Sequence, residues 1–175
     1  MTVFRDGARD DRPLLQGFRC TRPPERDSTG KRLAHPRPWE AEVEAYFHDL
    51  KPPGRKDNLI RLGFDNDGDL ASAVSIEALN PRVKTQTPEF FVAAVAVSLR
   101  ERGKGGRTAD NAFTDALVQL AERVRAAGRS ELLISGRIHA HNAASQAMAI
   151  RNGLAPGPVR DGDPYVLWRV TIEVD

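Results

Sequence analysis

The chain has one cysteine in 175 residues, Cys20. That excludes an intrachain disulfide and a thiol metal site, and it fits a reducing compartment. Cys20 itself reads as a small, buried apolar residue. Long apolar runs are also missing. No stretch approaches the roughly 20 residues of a membrane span, so no membrane partner is expected. Residues Met1 to Asp11 are charged from the start and do not read as a secretory leader, so a cytoplasmic protein is expected. A charge excess is lacking too. Twenty-six Lys and Arg against 24 Asp and Glu leave a net charge of +2, too little to point to nucleic acid. What remains is 40% hydrophobic and 29% charged, a soluble globular composition. The length suits one domain over residues 1–175 with a real core.

Residues 1–17 show little pattern, and Leu14, Leu15 and Phe18 read as the start of a first strand ending near Cys20. Residues 21–38 hold Pro23, Pro24, Pro36 and Pro38 among many charges, and are expected to form a mobile loop. Trp39 to Leu50 reads as a helix, with Trp39, Val43, Tyr46, Phe47 and Leu50 on one core-facing stripe. Its acidic face, Glu40, Glu42 and Glu44, reads as solvated or as the border of a site for a cationic substrate. Asn58 to Phe64 and Leu70 to Leu79 form a hairpin around Asp65-Asn66-Asp67-Gly68-Asp69. These aspartates lack the spacing of a calcium loop. Asn80 to Pro88 is a connection.

Phe90 to Leu99 is a near-continuous apolar strand, and Thr108 to Ala127 is an amphipathic helix stopped by Gly128. Leu132 to Ile138 is a strand. Asn142 to Asn152 is a helix ended by Gly153, and Tyr165 to Val174 is a last strand. The order is that of a mixed α/β domain without internal repeats.

The loop between the apolar strand and the long helix is Arg100-Glu101-Arg102-Gly103-Lys104-Gly105-Gly106-Arg107. Glycines allow close backbone approach, and the first N–H groups of a helix lack intrahelical partners. Phosphates bind such places, and the four cations add charge-assisted hydrogen bonds. The loop is not a Walker loop, because no Ser or Thr follows a Gly-Lys pair. It is not a dinucleotide fingerprint either, because Thr108 stands where the third glycine belongs.

Val95 to Arg107 with the helix behind it resembles motif A of the GCN5-related N-acetyltransferases (GNAT). Ile138-His139-Ala140-His141-Asn142-Ala143-Ala144-Ser145, leading to Gly153-Leu154, resembles their motif B. The family loop pattern is Gln/Arg-x-x-Gly-x-Gly/Ala. Arg100-x-x-Gly103-x-Gly105 satisfies it. Arg102-x-x-Gly105-x-Arg107 ends on a departure but keeps the usual distance from Val97, and is preferred. The resemblance implies a GNAT fold: a mixed, mostly antiparallel sheet, helices on both faces, and splayed central strands. It implies acetyl-coenzyme A as acyl donor and direct attack by an amine of a small molecule or protein. The pyrophosphate would lie on Arg102, Gly103, Lys104, Gly105, Gly106 and Arg107. The pantetheine arm would lie on Val95 and Val97, beside Asn142 and Ser145. Family members are often dimers.

The same resemblance implies a backbone oxyanion site near Val95. Glu89 and Glu77 are the candidate general bases. The family's thiolate-side tyrosine falls on Ala149 here, leaving Tyr165 as the candidate acid. His139 and His141 lack a third ligand, and no metal is expected. The alternative is a catalytically weak module that binds acyl-coenzyme A without turning it over.

Overall fold

The computed structural model describes residues 2–80 and 87–174. The chain runs β1 (Val3–Asp6), α1 (Arg12–Gly17), α2 (Pro38–Asp49), β2 (Leu59–Phe64), β3 (Leu70–Ala78) and β4 (Glu89–Val97). It continues through α3 (Arg107–Ala126), β5 (Glu131–His139), α4 (Ala143–Arg151), β6 (Ala155–Pro156) and β7 (Tyr165–Glu173). One sheet holds the seven strands in the order β1-β2-β3-β4-β5-β7-β6. Its neighbours are antiparallel except β4 and β5, which are parallel and are joined through α3.

Strand alternation divides the core between the two faces. Leu59, Val74, Ile76, Leu132 and Ile134 meet Phe113, Ala116, Leu120 and Val124 of α3 on one side. Ile60, Leu62, Ala73, Ala94 and Ala96 meet Leu15 of α1 and Phe47 of α2 on the other. The α3 stripe is the one its helical period predicts. Gly128, at φ +71°, follows its last turn and donates its N–H to the Arg125 carbonyl. No helix among the described residues is long and apolar enough to cross a membrane.

The N-terminal segment departs from the sequence reading. Leu14 and Leu15 lie in a helix, and the first strand is Val3–Asp6, paired with β2. Pro13 sits at the start of α1, where its missing N–H costs nothing. Leu15 is fully buried against the α2 layer. β1 was hidden because it is a short, mixed-charge edge strand. β6, two residues long, carries no periodic signal at all. Residues 21–37 are irregular apart from one bridge, Arg26 with Arg32. Thr21 is buried and its Oγ1 lies 2.9 Å from His35 Nε2. Of the connection before β4, residues 81–86 lie outside the described residues.

A buried cation ties α3 to the sheet. Arg61 on β2 is 8% exposed and points to the α3 side. Its Nε and Nη2 donate to Asp115 at 2.7 and 3.0 Å, and its Nη1 donates to Asp6 at 2.9 Å. Asp115→Ala should therefore cost about 2 kcal/mol in urea unfolding, because it strands half of a buried guanidinium fork. Asp6→Ala, at an exposed partner, should cost less. Equal losses would contradict this ranking.

Candidate active site

The central strands part company midway. β4 and β5 pair from Glu89 with Leu133 to Val92 with Gly136, and pairing stops there. β4 continues alongside β3 as far as Val97 opposite Ser72. β5 continues alongside β7 as far as His139 opposite Tyr165. A wedge opens between them. A bulge accompanies it, because Ser75 and Ile76 are consecutive on β3 but face Ala94 and Val92, leaving Ala93 as the extra residue. Bulges bend strands and raise their twist. Backbone groups that face a wedge need partners, and an extended ligand carrying amides could supply them.

Two cavities of about 360 and 390 Å³ occupy this region. Both are lined by Trp39, Val43, Val95, Asn142, Ser145 and Met148, so they adjoin across a shared wall. Asn142 caps α4, and its Oδ1 accepts the Ser145 N–H at 3.2 Å.

The larger cavity ends at the glycine loop. Gly103, Gly105 and Gly106 all have positive φ, +80°, +70° and +79°. Gly106 is the left-handed N-cap of α3, and its carbonyl accepts the Asp110 N–H at 3.0 Å. The N–H groups of residues 107–109 therefore precede the first bond of the helix. The cations divide. Arg100 turns to the β2–β3 hairpin, binding Asp65 at 2.5 Å and also Asp69, and it does not line this cavity. Lys104 donates to Glu101 at 2.7 Å, and Arg107 is exposed. Arg102 lines the cavity and reaches Glu40 of α2 at 2.9 Å.

Burial alone would raise the Glu40 carboxyl. Bonds from Arg102, Arg37 and Thr21 outweigh it and hold the carboxyl below its ordinary range. The link is thus fully formed above the ordinary carboxylate pKa and is lost as pH falls through the depressed value. Cys20 also lines this cavity, 1% exposed. Burial, with Glu44 next in weight, pushes its thiol up to about 12, so it is neutral and a poor nucleophile.

The smaller cavity lies in the wedge and collects Trp39, Glu42, Tyr46, His139 and Tyr165. Trp39 stacks on His139 with ring centroids 4.3 Å apart, and Tyr165 meets His139 edge-on at 5.3 Å. The Tyr165 hydroxyl donates to Glu42. Burial and that bond push the phenol up to about 12, so it keeps its proton at neutral pH. The Tyr46 hydroxyl lies 2.8 Å from Ser75 Oγ and donates to Glu77 at 3.3 Å. Its pKa is raised, first by burial. Glu77 reaches the cavity only through Tyr46. Glu89 lies at the paired end of β4 and lines neither cavity. Ala149, Ser145 and Asn142 do line the wedge. Tyr46 reads as core from its helical spacing. The overlooked signal was its hydroxyl, which needs a partner wherever a tyrosine is buried.

No protein-family model matches the sequence, and no curated protein matches it. Solved structures do match in fold. A GNAT-family acetyltransferase from Streptococcus pneumoniae superposes with a TM-score of 0.55 at 16% identity, over 98% of this chain and 100% of that one. Nourseothricin acetyltransferase gives 0.58 at 14% identity, over 99% of both chains. Arabidopsis thaliana NAA60, solved with a bisubstrate analogue, gives 0.58 at 13%, over 99% of this chain and 98% of that one. The chain has the GNAT fold. In this GNAT fold the parallel pair, the bulge and the wedge fall on β4 and β5, the strands flanking the glycine loop and α3.

Proposed function

We propose that the protein is an N-acetyltransferase that moves an acetyl group from acetyl-coenzyme A to an amine of a small molecule or protein. The observation that carries this is that the wedge adjoins the glycine loop: two cavities sharing six lining residues offer a strand-like slot and, beside it, the N-terminus of α3. Coenzyme A has the matching shape, an amide-bearing arm followed by a pyrophosphate. Its pyrophosphate is assigned to the backbone of residues 102–107 and its arm to Val95 and Val97, with Asn142 and Ser145 beside it. Three glycines with positive φ, two of them with open space where a β-carbon would stand, fit a close anion. Arg107 is a cation where the family loop ends in Gly or Ala.

The reaction needs a neutral amine nitrogen at the thioester carbon. A C–N bond forms, the C–S bond breaks with its electrons on sulfur, and the nitrogen sheds one proton. We assign that proton to Glu77 through Tyr46: the phenol passes its own proton to the carboxylate as it takes the amine's. Glu89, the other candidate base, is the less well placed. Tyr165, protonated at neutral pH, is assigned to the thiolate side. The carboxylates and aromatic rings of the wedge suit an amine that arrives as a cation, which must first lose one proton to solvent to become the neutral nucleophile. We place the activity in the cytoplasm as a single-domain chain. Ala149, where the family's acidic tyrosine would stand, favours a second reading, a module that binds acyl-coenzyme A with little turnover.

Acetyl-coenzyme A at about 100 times its dissociation constant should stabilise the protein by about 2.7 kcal/mol in a thermal-shift titration, and ATP should not. Gly105→Glu should remove the shift while the variant stays folded. A shift retained in that variant would overturn the loop assignment. Tyr46→Phe and Glu77→Gln should each lower kcat by about 100-fold and alter its pH profile, with KM for the donor nearly unchanged. Wild-type profiles in both variants would remove the relay.

A further inference from the structure

Three side chains stand together on the α2 face of the sheet, at the wedge. β5 and β7 pair without a bulge, so Arg137 and His139 share one face of β5, and Tyr165 stands opposite His139. That face is the one turned to α2, because the His139 ring stacks on Trp39. The Arg137 guanidinium lies over the Tyr165 ring, 5.2 Å from its centre. The hydroxyl of the same phenol donates to Glu42. A cation and an anion therefore flank one phenol, and all three residues line the wedge cavity. Among the described residues lining it, no other Lys, Arg, Asp or Glu occurs. Both charged residues are exposed, so a ligand arriving from solvent can meet them.

Arg137 has donors to spare. Its Nη2 alone binds Asp163, at 2.8 and 2.7 Å, and its Nε and Nη1 make no hydrogen bond to a described residue. Asp163 also accepts the Tyr165 N–H at 2.9 Å, which fixes it at the start of β7. It does not line the cavity, so it steadies the guanidinium against the ring from outside. An arginine offers five N–H donors, and a carboxylate is the partner that its planar fork fits best. Glu42 has its own neighbour. It lies one helical turn before Tyr46 on α2, the phenol assigned above to take the amine's proton.

We infer that the acceptor is a free α-amino acid, with its ammonium on Glu42 and its carboxylate on Arg137. The inference rests on the acetyltransfer reading above and narrows its acceptor. A polyamine would set a second cation against Arg137. A protein or peptide N-terminus would bring a neutral amide there, which forgoes the charge-assisted bond. Only an amine with a carboxylate beside it satisfies both charges. The ammonium gives one proton to solvent on the way to attack. The neutral nitrogen then forms the C–N bond, the C–S bond breaks with its electrons on sulfur, and the second proton passes to Glu77 through Tyr46. Arg137 is a specificity residue in this account, and Asp163 positions it.

The test measures coenzyme A release from acetyl-coenzyme A by the wild-type chain with each of the twenty standard amino acids. The best of these is then compared with its own amide and with its decarboxylated amine. The amino acid should exceed both analogues in kcat/KM by about tenfold or more. Arg137→Gln should erase that advantage, and Arg137→Lys, which keeps the charge without the fork, should retain part of it. Equal rates for acid and amide, or an advantage that survives in Arg137→Gln, would overturn the inference and leave acetyl transfer standing. A thermal shift with acetyl-coenzyme A but no transfer to any amino acid would overturn it too, because the donor site would be intact. No shift with acetyl-coenzyme A would overturn both.

Discussion

The separation of β4 from β5 is the constraint on which the rest depends. Two parallel strands in the middle of a sheet ordinarily pair along their whole length, because each unpaired backbone group away from water is costly. Here they pair for four residues and then follow different partners, β4 with β3 and β5 with β7. The nine-residue ladder between β5 and β7 and the bulge at Ala93 hold the two courses apart. The result is a pair of facing strand edges inside the molecule, beside the N-termini of α3 and α4. The proposed slot for an extended ligand and the proposed seat for its anionic end both rest on this one topological choice.

α2 gives that slot a wall. Only Phe47 of this helix is fully buried in the core. Its other side chains fasten separate parts of the groove: Glu40 holds Arg102 of the glycine loop, Trp39 stacks on His139 of β5, Glu42 holds Tyr165 of β7, and Tyr46 reaches Glu77 of β3. A helix that reads as a core stripe is thus also the wall of the site. The pK shifts agree with this placement. Burial and acidic neighbours keep both tyrosines protonated, and surrounding donors keep Glu40 ionised.

Much of this was legible in the sequence because it obeys local rules. The α3 stripe has helical period, Gly128 and Gly153 stop their helices, Asn142 caps α4, and the strand that enters the glycine loop is a near-continuous apolar run. The two-motif resemblance added the fold and the splay. What stayed hidden depends on tertiary placement. β1 is too short and too charged to show alternation, and Leu14 and Leu15 carry the same letters in a helix as in a strand. Glu77 and Glu89 look alike in sequence, but only Glu77 has a tyrosine linking it to the cavity. Residues far apart in the chain make the site, so spacing could name candidates without ranking them.

The most direct test of the account is amide hydrogen exchange with and without coenzyme A. If the wedge and the loop form one binding groove, added protection should concentrate on β4 beyond Val92, on residues 102–109, and at the start of α4. The β1–β2 edge and the paired first half of β4 should change little. Protection confined to other surfaces, or none at saturating coenzyme A, would contradict the claim that the parting of β4 and β5 exists to hold this ligand.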